Sequence, residues 1–174
     1  MLKRRQILII IFLLSAWGLT ADRFLKAAGL PEGSRADKII VLKEKRKMIL
    51  YRGGQIIKTY RISLGRQPVG AKTTQGDGRT PEGRYRINAR NPHSRYYLSL
   101  KISYPDPRDR AMAEKLGVNP GGDIMIHGLP NKLGWLGRSH RLMDWTDGCI
   151  AVTNKEMDEL WRAVPLGTPI EIRP

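Results

Sequence analysis

Apolar and polar positions fall in short runs along the chain, most of them of strand length. Lys38 to Leu42 (KIIVL) and Lys47 to Arg52 (KMILYR) read as strands joined by a charged turn around Glu44 and Lys45. Gly53-Gly54 supplies the positive φ of a tight hairpin, and Gln55 to Ser63 (QIIKTYRIS) makes a third strand, so the domain opens as an antiparallel meander. Gly65 to Gly83 is long and rich in Gly, Thr and Pro; its Gly76-Asp77-Gly78 lacks the Lys-Ser/Thr ending of a phosphate loop and reads as a turn. Arg84 to Asn88 and Tyr97 to Ile102 are further strands, separated by Asn91-Pro92-His93, with His93 a loop residue. Arg108 to Leu116 is a short helix with Gly117 placed to cap it, and Ile124 to Ile126 is a core strand that ends on His127-Gly128. Asn154 is placed to N-cap a helix through Ala163 whose Met157, Leu160, Trp161 and Val164 recur at helical spacing and pack the core. Thr168 to Ile172 is a last strand, and the whole reads as β-rich with short helices.

The first residues follow a different pattern. Lys3, Arg4 and Arg5 precede an apolar run of about 13 residues, Ile7 to Leu19, shorter than the ~20 that span a bilayer comfortably. Residues 1–26 are therefore expected to be a signal peptide or an N-terminal membrane anchor, since neither Ala16-Trp17-Gly18 nor Leu19-Thr20-Ala21 makes a good cleavage site. No cysteine follows the run, which excludes a lipoprotein. Residues 27–36 form a polar linker, and residues 37–174 leave room for one domain with a real core.

Composition adds two facts. The net charge is +15, from 31 Lys and Arg against 16 Asp and Glu, so the surface suits an acidic wall polymer or an anionic lipid face. A nucleic-acid partner is not expected, because no stacked aromatic platform is visible. The chain has one cysteine, Cys149, which in an exported domain leaves a thiol without an intramolecular partner.

That thiol sits in the stretch Asp123 to Asn154, with two of the three histidines. A cysteine attacks carbonyls as thiolate and needs a base for its proton and donors for the oxyanion that follows. His127, at a strand end, supplies the base. The amides of Gly148 and Cys149, with that of Asp147 beside them, are the natural oxyanion donors, and Gly148 leaves the thiol open to substrate. No His/Cys/carboxylate cluster has metal spacing, so neither metal nor other cofactor is expected.

His127-Gly128, a loop with Gly and Trp, and then Thr146-Asp147-Gly148-Cys149-Ile150 resemble the signature of the L,D-transpeptidase catalytic domain family (YkuD type). Thr80-Pro81-Glu82-Gly83, Leu98 to Pro105, Gly121 to Gly128, Asp144 to Asn154 and Gly167 to Ile172 extend the likeness over roughly residues 36–174. The resemblance implies a mostly β (β-rich α+β) fold of packed, mixed β-sheets with short helices. It makes Cys149 the nucleophile and His127 the general base of an exported enzyme, in the periplasm or cell envelope or anchored in the inner membrane. Such an enzyme acts on peptidoglycan stem peptides through a thioester. The acceptor stays open among a stem-peptide amine, a lipoprotein lysine and water, the last making the enzyme a carboxypeptidase, amidase or endopeptidase. A non-catalytic, basic murein-binding module is the other class of reading.

Gly128, Thr146, Asp147, His140 and Arg141 are the candidates for contact with substrate. Three departures from the family pattern accompany them: the spacer from His127 to Thr146 is long, Ala151 stands where many members carry a polar residue, and Asp147 replaces the usual second histidine. A carboxylate beside a thiol raises its pKa unless a cation turns it away. Asp144 is open between orienting a site histidine and a structural role, and Trp145 is expected to pack beneath the cysteine turn.

Overall fold

A computed structural model describes residues 29–174, so the leader and the first two linker positions lie outside the described residues. In chain order the elements are β1 (Lys38–Leu42), β2 (Lys47–Arg52), β3 (Gln55–Arg61), β4 (Gly83–Ser94), β5 (Tyr97–Ile102), α1 (Pro107–Lys115), β6 (Met125–His127), a 3-10 segment (Gly134–Leu142), β7 (Ile150–Ala151), α2 (Asn154–Ala163) and β8 (Pro169–Arg173). The eight strands form one mixed ladder in the order β3-β2-β1-β8-β4-β5-β6-β7.

The meander expected at the start is present. Gly53 (φ 56) and Gly54 (φ 78) make its second turn, and two positive φ values in succession match the twist of the strands they join. The far edge of β1 pairs in parallel with β8, Ile39 opposite Ile170 and Val41 opposite Ile172. A strand flanked on both edges and covered on both faces should be apolar throughout, and Ile39, Ile40 and Val41 are all buried. Ala36, at the end of the expected linker, is already in the core, and its N–H donates to Ala163 O at 2.8 Å.

β4 runs well past Asn88 to Ser94, through Pro92. Proline removes one ladder donor, and the β4–β5 register is irregular between Asn91 and Ser94, where Pro92 and His93 sit. His93 is thus on a strand rather than in a loop.

α1 starts at a capping box, with Asp106 accepting from the Asp109 N–H, the Asp109 carboxylate accepting from the Asp106 N–H, and Pro107 in the first turn. The N-cap of α2 is Thr153, one residue before the expected Asn154: its hydroxyl accepts from the Glu156 N–H, and the Glu156 carboxylate accepts from the Thr153 N–H. Asn154 instead accepts the Leu129 N–H at 2.8 Å, which fixes the chain just after β6. Met157, Leu160 and Val164 are buried without residue, each full burial worth about 1.5–3 kcal/mol. Trp161 is only partly buried and carries the Arg90 guanidinium 4.1 Å from its ring centroid.

Candidate active site

Two short strands bring the expected nucleophile and base together. β6 and β7 pair in parallel with His127 opposite Ala151. Side chains two apart share a face, so Cys149, two positions before Ala151, is carried to the side of the sheet on which His127 lies. Both line one cavity of about 390 Å³, together with Asn91, His93, Ser94, Arg95, Tyr96, Asp123 and Met125.

His127 is buried, and its Nδ1 lies 2.7 Å from Gly128 O. A carbonyl only accepts, so Nδ1 carries the proton and Nε2 keeps its lone pair. Burial pushes the imidazole down to about 4, against the opposing pull of the Gly128 carbonyl. The ring is held by aromatics, with the centroid of Tyr96 4.5 Å away and that of Trp145 5.7 Å away. Trp145 thus packs on the base.

Cys149 is a free thiol whose Sγ lies 3.5 Å from Asp123 O. Burial pushes it above its ordinary value, Asp147 and Asp123 push the same way, and the Met125 N–H and the Lys72 charge oppose them. At neutral pH the pair therefore rests as thiol and neutral imidazole.

The turn that presents the thiol is tightly built. The Thr146 hydroxyl donates to Cys149 O at 2.7 Å and accepts from the Gly148 N–H at 3.2 Å. Thr146 bridges Gly65 in parallel, its N–H donating to Leu64 O at 3.1 Å. Gly148 has φ 123, and a Cβ there would lie 2.5 Å from Arg79 O, so only glycine fits. Of the three amides expected to hold an oxyanion, that of Gly148 is engaged by Thr146, which leaves those of Asp147 and Cys149, the latter adjacent to the sulfur. Asp147 is 79% exposed and turned outward onto Arg66, the cation that draws its carboxylate from the thiol.

Gly128, Thr146, Asp147, His140 and Arg141 are not among the residues lining the thiol's cavity. Gly128 is a packing glycine, since a Cβ would lie 2.7 Å from Asn154 Oδ1. Arg141 is ion-paired with Glu156, the acid of the α2 capping box. His140 is buried, its Nδ1 3.2 Å from Ser63 Oγ, and it lines a second, apolar cavity of about 280 Å³ walled by Leu129, Leu133, Leu136, Leu142 and Met143. Burial, with the Arg141 charge, pushes His140 down to about 4. Trp145 lies between the two histidines, its ring centroid 6.5 Å from that of His140. Asp144 orients no histidine: it accepts from Arg46 Nε at 2.9 Å and from the Leu64 N–H at 2.8 Å, tying the 64–65 segment to the cysteine turn.

Asp77 is the hub of the 65–83 loop. It accepts from the Thr73, Thr74 and Arg79 amides and from Lys72 Nζ at 2.9 Å, and although burial opposes charge these donors hold its carboxyl at about 2. The turn reading of Gly76-Asp77-Gly78 is thus the structural one. Sequence reasoning missed Asn91, His93, Arg95 and Asp123, which reach the cleft because β5 pairs with β6, Ser99 opposite His127. The cue was the position of Asn91–Tyr96 just before β5; its pairing partner is not written in the residues.

A family model described as L,D-transpeptidase catalytic domain matches residues 36–172. The L,D-transpeptidase homologue YafK of Escherichia coli (strain K12) is 32% identical over 132 residues, 72% of this chain and 46% of the relative, so the chain spans about half the length of the curated relatives it matches. Among solved structures, the helical cell shape determining protein Pgp2 from Campylobacter jejuni superposes with TM-score 0.59 at 23% identity, over 85% of this chain and 51% of that one. Bd1075 of Bdellovibrio bacteriovorus gives TM-score 0.54 at 28% identity, over 86% and 51%. An L,D-transpeptidase from Mycobacterium smegmatis gives 0.53 at 14%, over 80% and 59%, a likeness of fold.

Proposed function

The chain belongs to the L,D-transpeptidase catalytic domain family, and from that premise we propose that it is an exported cysteine L,D-transpeptidase acting on peptidoglycan stem peptides. The observation that carries the reading is the buried, neutral His127, its Nδ1–H anchored on Gly128 O, in one cavity with the free thiol of Cys149.

The mechanism follows from those protonation states. As Cys149 Sγ attacks the scissile carbonyl carbon, its proton passes to His127 Nε2, and the Cys149 N–H donates to the oxyanion. Collapse breaks the C–N bond, the imidazolium returns the proton to the leaving nitrogen, and a thioester remains on Cys149. An acceptor amine, from a second stem peptide or a lipoprotein lysine, then attacks the thioester carbonyl. His127 takes the amine's proton and gives it to the departing sulfur. Water in place of the amine makes the same site an L,D-carboxypeptidase, amidase or endopeptidase.

Intact-mass analysis of residues 29–174 mixed with disaccharide-tetrapeptide tests this, with Cys149→Ala as control. The expected result is an acyl adduct on the wild type alone, D-alanine release and crosslinked dimers. Free tripeptide without dimers would assign water as acceptor. No adduct, with murein retaining both chains equally, would favour a binding module.

A further inference from the structure

The 3-10 segment turns large apolar side chains toward solvent. Trp135 is 78% and Leu142 86% exposed, Leu133 and Met143 are exposed with them, and these are four of the eleven large apolar residues exposed among the described residues. Their crowding into positions 133–143 makes a patch, unlike the single apolar residues that any surface carries. Leu133, Leu142 and Met143 also wall the apolar cavity of about 280 Å³, so the patch continues inward to Leu129 and Leu136. No residue of the patch lines the cleft that holds Cys149, and the Trp145 ring lies between that cleft's His127 and the cavity's His140.

Charge indicates what covers the patch. The twenty residues from Ile124 to Met143 contain no Asp or Glu. Arg141 is held by Glu156, which fastens the segment to α2, whereas Lys132 and Arg138 are exposed among the apolar tips. Apolar side chains with a Trp among them, cations beside them and no carboxylate suit the surface of an anionic bilayer. The apolar tips enter the boundary between headgroups and acyl chains, the indole favours that interface, and Lys and Arg meet lipid phosphate. A hydrated wall polymer offers no apolar phase to Trp135 and Leu142.

The path of the chain agrees. A Cβ at Gly29, the first described residue, would lie 3.2 Å from Glu159 Oε1, and Glu159 follows Glu156 by one turn on the same face of α2. The chain therefore enters the domain about one helical turn from the ion pair that holds the 3-10 segment. The apolar run Ile7 to Leu19 ends ten positions before Gly29. An extended chain covers about 3.3–3.6 Å per residue, so such a run seated in a bilayer keeps this side of α2 within about 35 Å of it. We propose that the 3-10 segment is a membrane-docking face. Leu133, Trp135, Leu142 and Met143 insert into the outer part of an anionic phospholipid bilayer, and Lys132 and Arg138 bind its phosphates. The face acts independently of the chemistry at Cys149 and holds the catalytic cleft close to the lipid.

Residues 29–174 hold the whole ladder and its core, so they test the face without the leader. Sedimentation with vesicles of mixed phosphatidylglycerol and phosphatidylcholine, and of phosphatidylcholine alone, gives the partition coefficients. Trp135→Ser combined with Leu142→Ser is expected to lower partition onto the mixed vesicles at least about tenfold, since burying either side chain is worth about that factor. Lys132→Gln combined with Arg138→Gln should lower it by about tenfold or more, on the anionic vesicles only. Both double variants should melt within about 2 °C of the parent, because the substituted residues are exposed. In the parent, Trp emission should shift to the blue on the mixed vesicles and be quenched by lipids brominated along the acyl chain, and Trp135→Phe should abolish both effects. The quenching is read on the parent chain and decides the matter even where a double variant unfolds. Equal partition of the parent and the Trp135→Ser, Leu142→Ser variant, lost for both at about 0.5 M salt, is the general attraction of a basic domain and overturns the docking face. Absence of vesicle binding overturns it as well, and a dimer in sedimentation equilibrium that the same variant dissociates would then assign the patch to a second copy of the chain.

Discussion

Burial acts on Cys149 and His127 in one chemical direction: it disfavours charge on each, raising the thiol and lowering the imidazole to about 4. The thiolate is then made only as the carbonyl is attacked. Alkylation by iodoacetamide, which needs preformed thiolate, is expected to be slow at pH 7 and to climb about tenfold per unit through pH 9. A rate already level below pH 7 would show a resting ion pair instead. The same shifts set acid stability. Both buried histidines have a folded pKa of about 4, below the ordinary 6.5, so their neutral forms contribute fully above pH 6.5 and that contribution is lost as pH falls toward 4. Each is worth about 3 kcal/mol at most. Denaturant midpoints taken from pH 7 to pH 4 should fall, and His140→Phe should flatten the slope. Cys149 and His127 were legible because their residue types name their chemistry. That His93 and Arg95 line the same cavity was not legible, since it depends on the pairing of β5 with β6, which residue type does not carry.

At the scale of elements, the periodicities located both helices and every strand but β7, whose two residues are too few to show a period, and the departures have local causes. Pro92 marked an end to the β4 reading, yet an irregular ladder absorbs a missing donor. Asn154 and Thr153 are both good caps in sequence. The Glu156 carboxylate decides for Thr153, three residues before it, and frees Asn154 for Leu129. Thr153→Ala should therefore cost about 1–2 kcal/mol in thermal or denaturant unfolding, the range for losing a capping hydroxyl. A loss within about 0.3 kcal/mol would mean that Asn154 takes over the cap. The 3-10 segment gave no periodic signal, because it is broken at Gly137 (φ 48, ψ −126) and held partly by Arg141 on Glu156. The cysteine turn was legible as a motif, but the engagement of its Gly148 amide by Thr146 depends on geometry that residue order does not carry.

For the molecule as a whole, the net charge of +15 predicts attraction to an acidic polymer that is lost on screening. Raising salt from about 0.05 M to about 0.5 M shortens the screening length about threefold. Retention of the Cys149→Ala chain on purified murein should fall steeply over that range; salt-independent retention would place the affinity in specific contacts. Strand order was the least legible property, since the antiparallel meander could be read from its turns whereas the parallel partner of β1 could not. That partner, β8, also joins β1 to β4. Synthesis therefore supplies both flanks of the sheet well before the strand that unites them, and no partial chain can close the ladder at its centre. Until residues 169–173 are made, the two flanks have no strand between them to pair with, and the sheet stays open at its middle.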